Sequence, residues 1–350
     1  MVRQINPGLA RLWIKDTRQY GYSAPIAFTP KSASSLKALE YLEIGVANNQ
    51  IANLPRLVGS TNLAIKELLD RLSPMLNNTG SFLPEMTEEE VERHFAEIMR
   101  LFLIGVKDPT EAMRARAKAK VFVSKLDRTG VVLLRGLAAA GVGTVFTQDQ
   151  GRVLPQDTLE LGHPLSSLGQ TRILSAKNLI TGVTKTQLHS RVSGVFDNTD
   201  AVILISTDVI LPTDYHLWLA RDVPHLAITY NEIGVELSHL VFPGITPCLS
   251  CLELERMRTI PNWRLIAPQL AQIDRDLSDS AMLLCAAGLA LNRVLNLIDL
   301  GIQNPVPTEI TKLDRKLGRI EVQTLEINSC GCFNPLDGRE TQSEPFADSS

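Results

Sequence analysis

One stretch limits the fold of this chain more than any other. Residues 119–147 read as an apolar strand (119–123), a turn, an apolar helix (129–140) and a second strand (143–147). A helix-like stretch around 172–182 and a strong strand at 201–206, AVILIS, continue the alternation. Strands alternating with helices imply a parallel sheet and an α/β class. In a Rossmann-type nucleotide unit the first turn reads G-x-G-x-x-G. The glycines there let the backbone approach the phosphates, which sit at the helix N-terminus. Here the six residues are Lys125-Leu126-Asp127-Arg128-Thr129-Gly130. Only Gly130, which lets helix pack on strand, is kept. Asp127 would set a carboxylate against any phosphate. Two like charges about 4 Å apart cost roughly 4 kcal/mol at an effective dielectric near 20, on the order of a thousandfold in affinity.

The remainder of the chain offers room for more than this unit. At 350 residues it is long enough for two domains or three, and 44% hydrophobic against 21% charged residues allows most of it to bury a core. A formal charge of -3 gives no general reason to expect nucleic acid or an anionic membrane as partner. The start, MVRQINPGLARLW, lacks the apolar run of a signal peptide. The longest apolar run, 281–291, is about half of what a bilayer span requires, so it reads as a buried helix. A cytoplasmic protein is expected.

The five cysteines are clustered. Cys248 and Cys251 form C-x-x-C after Pro247, Cys330 and Cys332 form C-x-C around Gly331, and Cys285 lies in the apolar helix as an expected packed thiol. In a cytosolic chain such pairs favour a metal over disulfides, and four thiolates suit a closed, structural zinc. Unrelated thiols, or a redox C-x-x-C, are the other readings. A metal would pin the chain near 250 to the chain near 330, holding the helical excursion 262–302 against the sheet. His225 and His239 sit beside apolar residues and read as core histidines.

Ahead of the α/β unit, 8–30 read as short strands, and 33–47 and 62–76 carry helical apolar spacing. Asn77-Asn78-Thr79-Gly80 then ends the second helix and SFL makes a return strand, giving a small winged-helix-like module over 1–85. Residues 86–118 read as a helical connector, with Thr87 and Glu90 as a capping box and Asp108 or Thr110 as a second cap. The α/β domain would run over 119–335, and 336–350 is a polar tail expected to be disordered. Winged-helix modules also bind DNA, but Lys37, Arg56, Lys66 and Arg71 are too sparse for a phosphate footprint.

Taken together, AAAGVG, VPHLAITYNEIGVELSHLVFPGITPCLSCLELERMRTIPNWRLIAPQL, the terminal CGC and INPGLARLWIKDTRQYGYSAPIAF resemble the ThiF-type, ubiquitin-activating-like proteins. They are most similar to the branch of bacteriocin-biosynthesis cyclodehydratases, the leader-peptide-binding proteins of azole and azoline pathways. The resemblance spans 5–333. It implies that 1–85 binds the leader of a ribosomal peptide and that the four cysteines hold zinc. In active relatives the ThiF-type domain binds ATP and adenylates a C-terminal carboxylate. A YcaO-type partner enzyme and a homodimer are implied as well.

Against the family's ATP site the sequence is depleted. Asp149 fits the ribose-holding acid, but Gly151 stands where a second acid belongs, and LPQDTLELGHP supplies no following Asn and Arg. Asp208 fits an acid near metal and phosphates, with Lys177 or Lys185 as the phosphate lysine. We therefore expect Gly130, Asp149 and Asp208 to be remnants of a degenerate ATP site without catalytic residues, and ATP not to bind. The same broken turn speaks against an NAD dehydrogenase. The other reading is an active ATP-dependent adenylating enzyme acting on a peptide or carrier-protein C-terminus. The leader would lie as an added strand beside Ala24 to Phe28 and against the helix 62–76. That names Pro25, Ile26, Ala27, Phe28, Lys66, Leu69 and Asp70, with Arg71 and Leu72 close by.

Overall fold

Hydrophobic residues of the first eighty positions close on a core of their own. The computed structural model describes residues 1–80, 86–190, 198–303, 306–325 and 331–332. It begins with β1 (Val2–Ile5), β2 (Arg11–Ile14), β3 (Thr17–Tyr20) and β4 (Ile26–Phe28). Next come α1 (Ala33–Ile44), β5 (Val46–Ala47), α2 (Leu54–Val58), α3 (Asn62–Leu72) and β6 (Leu76–Thr79). The strands form two antiparallel three-stranded sheets, β5-β1-β6 and β2-β3-β4. Ile5, Tyr20, Leu39, Leu42, Leu54, Leu68 and Leu72 are buried between them and the helices. Ser32 caps α1 through a capping box with Ser35, and Thr61 accepts the Ala64 amide at the start of α3.

The α3 spacing overran its helix. Pro74 lacks an amide proton and cannot extend the i→i−4 ladder, so α3 stops at Leu72. The segment read as a helix-ending turn is instead β6, paired to β1 from Val2–Thr79 to Ile5–Leu76. The return strand expected at 81–83 lies outside the described residues.

Helices α4 (Glu88–Arg93), α5 (Phe95–Leu103) and α6 (Pro109–Lys118) follow. The Thr87–Glu90 capping box forms, and Asp108 caps α6 by accepting two amides.

Next come β7 (Lys120–Val123), α7 (Arg128–Ala139), β8 (Thr144–Thr147), α8 (Arg172–Ile180), β9 (Gln187–Ser190) and β10 (Ala201–Thr207). The chain continues through α9 (Pro212–Ala220), β11 (His225–Tyr230), β12 (Gly234–Leu237), α10 (Leu249–Thr259), α11 (Trp263–Leu270), α12 (Ser280–Leu300), β13 (Glu309–Asp314) and β14 (Ile320–Thr324). One eight-stranded sheet runs β14-β13-β12-β11-β10-β7-β8-β9. Its five strands from β11 to β9 are parallel, as the alternation predicts, while β12, β13 and β14 extend it antiparallel. Sequence order reverses between β7 and β10. At such a switch point the crossovers leave on opposite faces and open a crevice at the carboxyl ends of the strands.

Both faces of the sheet are covered. One carries Leu133, Leu134, Ala286 and Ala290 from α7 and α12. The other carries Tyr215, Trp218, Leu249 and Leu252 from α9 and α10. Two arginines fasten the connector to α12. Buried Arg116 donates to Asp299 at 2.7 and 2.8 Å, to Glu97 at 2.7 Å and to the Ala140 carbonyl at 2.9 Å. Arg100 reaches the same Asp299 at 2.6 Å.

Helix α12 is longer than its apolar run. At 21 residues it is long and apolar enough to cross a membrane by length and composition, yet here Met282, Ala286, Ala287, Ala290 and Val294 pack into the core. Cys285 was expected on that packed side and is exposed instead. It shares the outer face with Ala281, Leu284 and Gly288, because a helix turns only every 3.6 residues even where all residues are apolar.

Candidate functional site

The crevice at the switch point is a cavity of about 490 Å³. Ser124 and Lys125 line it from the end of β7, Gln148 from the end of β8, Thr207 from β10, Asp214 and Trp218 from α9, and Arg275 from the segment before α12. At its rim, α7 starts with Asp127 as N-cap, whose carboxylate accepts the Gly130 amide at 3.0 Å. Amides at a helix N-terminus are what a phosphate would use. Burial pushes the Asp127 carboxyl up, against the pull of that amide and of Lys125 and Arg172. Gly130 is kept for packing: a Cβ there would stand 1.9 Å from the Lys125 carbonyl oxygen.

Asp149 is likewise engaged within the chain. It accepts the amides of Leu126 and Gly151, each at 2.6 Å, and lies 3.5 Å from Arg172. Gly151, where a second acid was sought, is hemmed in: a Cβ there would meet Asp149 Oδ1 at 2.8 Å and Arg172 at 3.1 Å. Arg172 binds Asp157 at 2.8 and 3.0 Å. Burial alone would lower the Arg172 pKa, but Asp157, Asp149 and Asp127 outweigh it and raise it. Buried His163 donates from Nε2 to the Leu126 carbonyl at 2.7 Å, and its Nδ1 meets Ser175 at 2.8 Å.

The cation beside Asp149 is Arg172, while Lys125 and Arg275 line the cavity itself. Lys177 is exposed on α8, and Lys185 pairs with Glu90 at 2.6 Å. Sequence reading missed Arg172, Asp157 and His163. They converge through the loop 148–171, whose turns carry no periodic signal.

Asp208 is buried in a left-handed turn (φ +61°) at the end of β10. Arg275 clamps it with two bonds of 2.9 Å and reaches Glu232 at 3.2 Å. The Asp208 hydrogen bond is the main cause that raises Arg275. Gly130, Asp149 and Asp208 do not themselves line the cavity; Asp149 follows Gln148 and Asp208 follows Thr207, which do, and each acid already holds an internal partner.

The thiols of Cys248, Cys251 and Cys332 lie within 4.8 Å of one another, with Cys251 and Cys332 at 3.5 Å. Ligands of a tetrahedral Zn–S site with bonds near 2.3 Å stand about 3.8 Å apart, so this donor set fits a metal ion. Cys330 lies outside the described residues. Nearby, His239 donates from Nε2 to the Pro247 carbonyl at 2.6 Å, and His225 from Nδ1 to Val223 at 2.9 Å. Both are core histidines, as expected, and burial pushes each down to about 4.

The peptide-groove residues separate. Phe28 is buried under Arg71, whose guanidinium lies 4.9 Å from its ring, while Pro25 and Ala27 are exposed and Ile26 is half-buried. Strand β4 pairs only with β3 among the described residues. Lys66, Leu69 and Asp70 line a different cavity of about 450 Å³, together with Arg3, Ile51 and Pro55 and none of 25–28. The reason is helical geometry: at 100° per residue, 66, 69 and 70 lie on the opposite flank of α3 from Arg71.

No family model and no curated protein match the chain. Solved structures do. E. coli MccB aligns with a TM-score of 0.68 at 12% identity, over 95% of this chain and 97% of that one. The microcin C7 biosynthetic enzyme MccB in complex with N-formylated MccA aligns at 0.66 and 11%, over 94% and 98%. PaaA aligns at 0.62 and 16%, over 80% and 97%. MccB has also been solved with ATP. At such identities the likeness concerns the fold alone: this chain shares the architecture of MccB and PaaA, with a Rossmann-type run of parallel strands at its centre.

Proposed function

We propose that this chain is a non-catalytic ThiF-like protein that binds the leader of a ribosomally made precursor peptide and presents it to a YcaO-type cyclodehydratase. The observation that carries the reading is the closed phosphate turn. Asp127 occupies the N-terminus of α7, Asp149 holds the Leu126 amide of the turn, and Arg275 neutralises Asp208. A triphosphate entering there meets carboxylates where it needs N–H donors. Strand β4 pairs only with β3 among the described residues, which supports strand addition by an extended leader. Zinc on Cys248, Cys251 and Cys332, with Cys330, would supply a structural staple holding α10 to the chain end. MccB, which shares the fold, has been solved in complex with N-formylated MccA, and this supports the binding assignment.

The second reading, an ATP-dependent adenylating enzyme, draws on Lys125 and Arg275 in the crevice and on the MccB complex with ATP. Calorimetry with Mg-ATP and an ATP–pyrophosphate exchange assay separate the two. We expect neither heat nor exchange, and micromolar ATP binding would replace the first reading by the second. The leader reading is tested by fluorescence polarisation of the full chain with leaders of short precursor genes neighbouring this one. Failure of all of them would remove it.

A further inference from the structure

We propose that the cavity on the α2 side of α3 is a docking site for a peptide segment carrying an acidic side chain beside an aliphatic one. It rests on the peptide-binding reading above and names a contact separate from the β4 edge. Along α3, Ile65, Leu68 and Leu72 face the core and Arg71 leans over Phe28. Lys66, Leu69 and Asp70 occupy the opposite flank, where Arg3 from β1 and Ile51 and Pro55 complete a cavity of about 450 Å³. That volume lies in the range of pockets that bind small ligands.

Its charges are uncommitted. Arg3, Lys66 and Asp70 form no ion pair or side-chain hydrogen bond with any described residue. In the same module, by contrast, Arg11 and Arg18 both reach Glu43. Two unpaired cations above an apolar floor of Ile51, Pro55 and Leu69 complement a carboxylate next to an aliphatic side chain. Asp70 disfavours a second acid at its end and accepts from a donor there.

The test uses the full chain and short fluorescein-labelled peptides with a Leu-Glu-Leu core, their Gln and Lys counterparts, and an N-methylated Glu form. The Glu peptide should bind, weakening as salt rises. Arg3→Gln with Lys66→Gln should lower its affinity about tenfold, and Lys66→Glu should turn the preference towards the Lys peptide. Equal binding of all three cores, indifference to both substitutions, or no binding of the Glu peptide overturns the site. Loss on N-methylation without sensitivity to Arg3 or Lys66 assigns binding to strand addition instead. The β4 reading is judged separately, with the precursor leader and its N-methylated form, so either can fail alone.

Discussion

The N-terminus of α7 and the α2-side flank of α3 are both concave, polar-rimmed places of similar size, and they are wired oppositely. Around α7, Asp127, Asp149, Asp157, Asp208, Arg172 and Arg275 all hold partners within the chain. Beside α3, Arg3, Lys66 and Asp70 hold none among the described residues. A polar group bonded inside the fold contributes to stability and must be released before it can bind anything else. An uncommitted charge contributes little to folding and is available to a ligand. The contrast is one of bonding: the acids beside the crevice, where a nucleotide would be sought first, are engaged within the fold, and the charges beside α3 are not.

If so, disturbing the α/β half should cost stability, and disturbing the groove should cost only binding. The largest difference should appear in acid. His225 and His239 are held near pKa 4 by burial, below the ordinary 6.5, so the unfolded chain binds more protons between those values. Their contribution is complete above about pH 6.5 and disappears as pH falls towards 4, at about 3 kcal/mol each. In the N-terminal module, burial alone would raise Glu43, but Arg18, Tyr20 and Arg11 outweigh it and hold it low. Its contribution is present above the usual carboxylate range and is lost only as pH falls through the lowered value. Urea melts at stepped pH, followed by Trp and Tyr fluorescence, should show the α/β half weakening first. Simultaneous loss of both halves would break the comparison.

Next in size is Gly130→Ala. Its Cβ would press into the Lys125 carbonyl, for a loss of about 3 kcal/mol in chemical denaturation. A neutral result would mean that α7 can move off β7, and that the crevice is less rigid than its bonds imply.

A smaller effect separates cap from charge at Asp127. Asp127→Ala loses the acceptor for the Gly130 amide and should cost about 1 kcal/mol. Asp127→Asn keeps an acceptor and removes a carboxylate whose charge burial disfavours, so it should recover most of that loss. If Asn is as damaging as Ala, the carboxylate charge rather than its hydrogen bond holds the turn.

Smallest of all, Lys66→Gln should change the unfolding free energy by no more than about 0.5 kcal/mol. A larger loss would show that Lys66 belongs to the framework, and the two regions would then differ less than their bonding indicates.

Much of this was readable from residues alone. Apolar runs bounded by turns placed β7, α7, β8, α8 and β10 within a residue or two, because buried parallel strands and their crossover helices impose unmistakable patterns. The missing glycines at 125 and 127 and the clustered cysteines were also visible, since these depend on local spacing. Residue 285 was not placed correctly, because a uniformly apolar helix does not say which side faces the sheet. Nor does the sequence say which flank of α3 carries 66, 69 and 70, which requires knowing how the helix is rotated against β4.

The sequence by itself determined the α/β alternation and the loss of the phosphate glycines, since both are written in short-range pattern. Only the tertiary structure decided which acids are already engaged. Arg172 reaches Asp149 and Asp157, and Arg275 reaches Asp208 across 67 positions, through loops without periodicity. Whether a charge is spent on the fold or left for a ligand depends on what the chain brings opposite it, and no local pattern carries that.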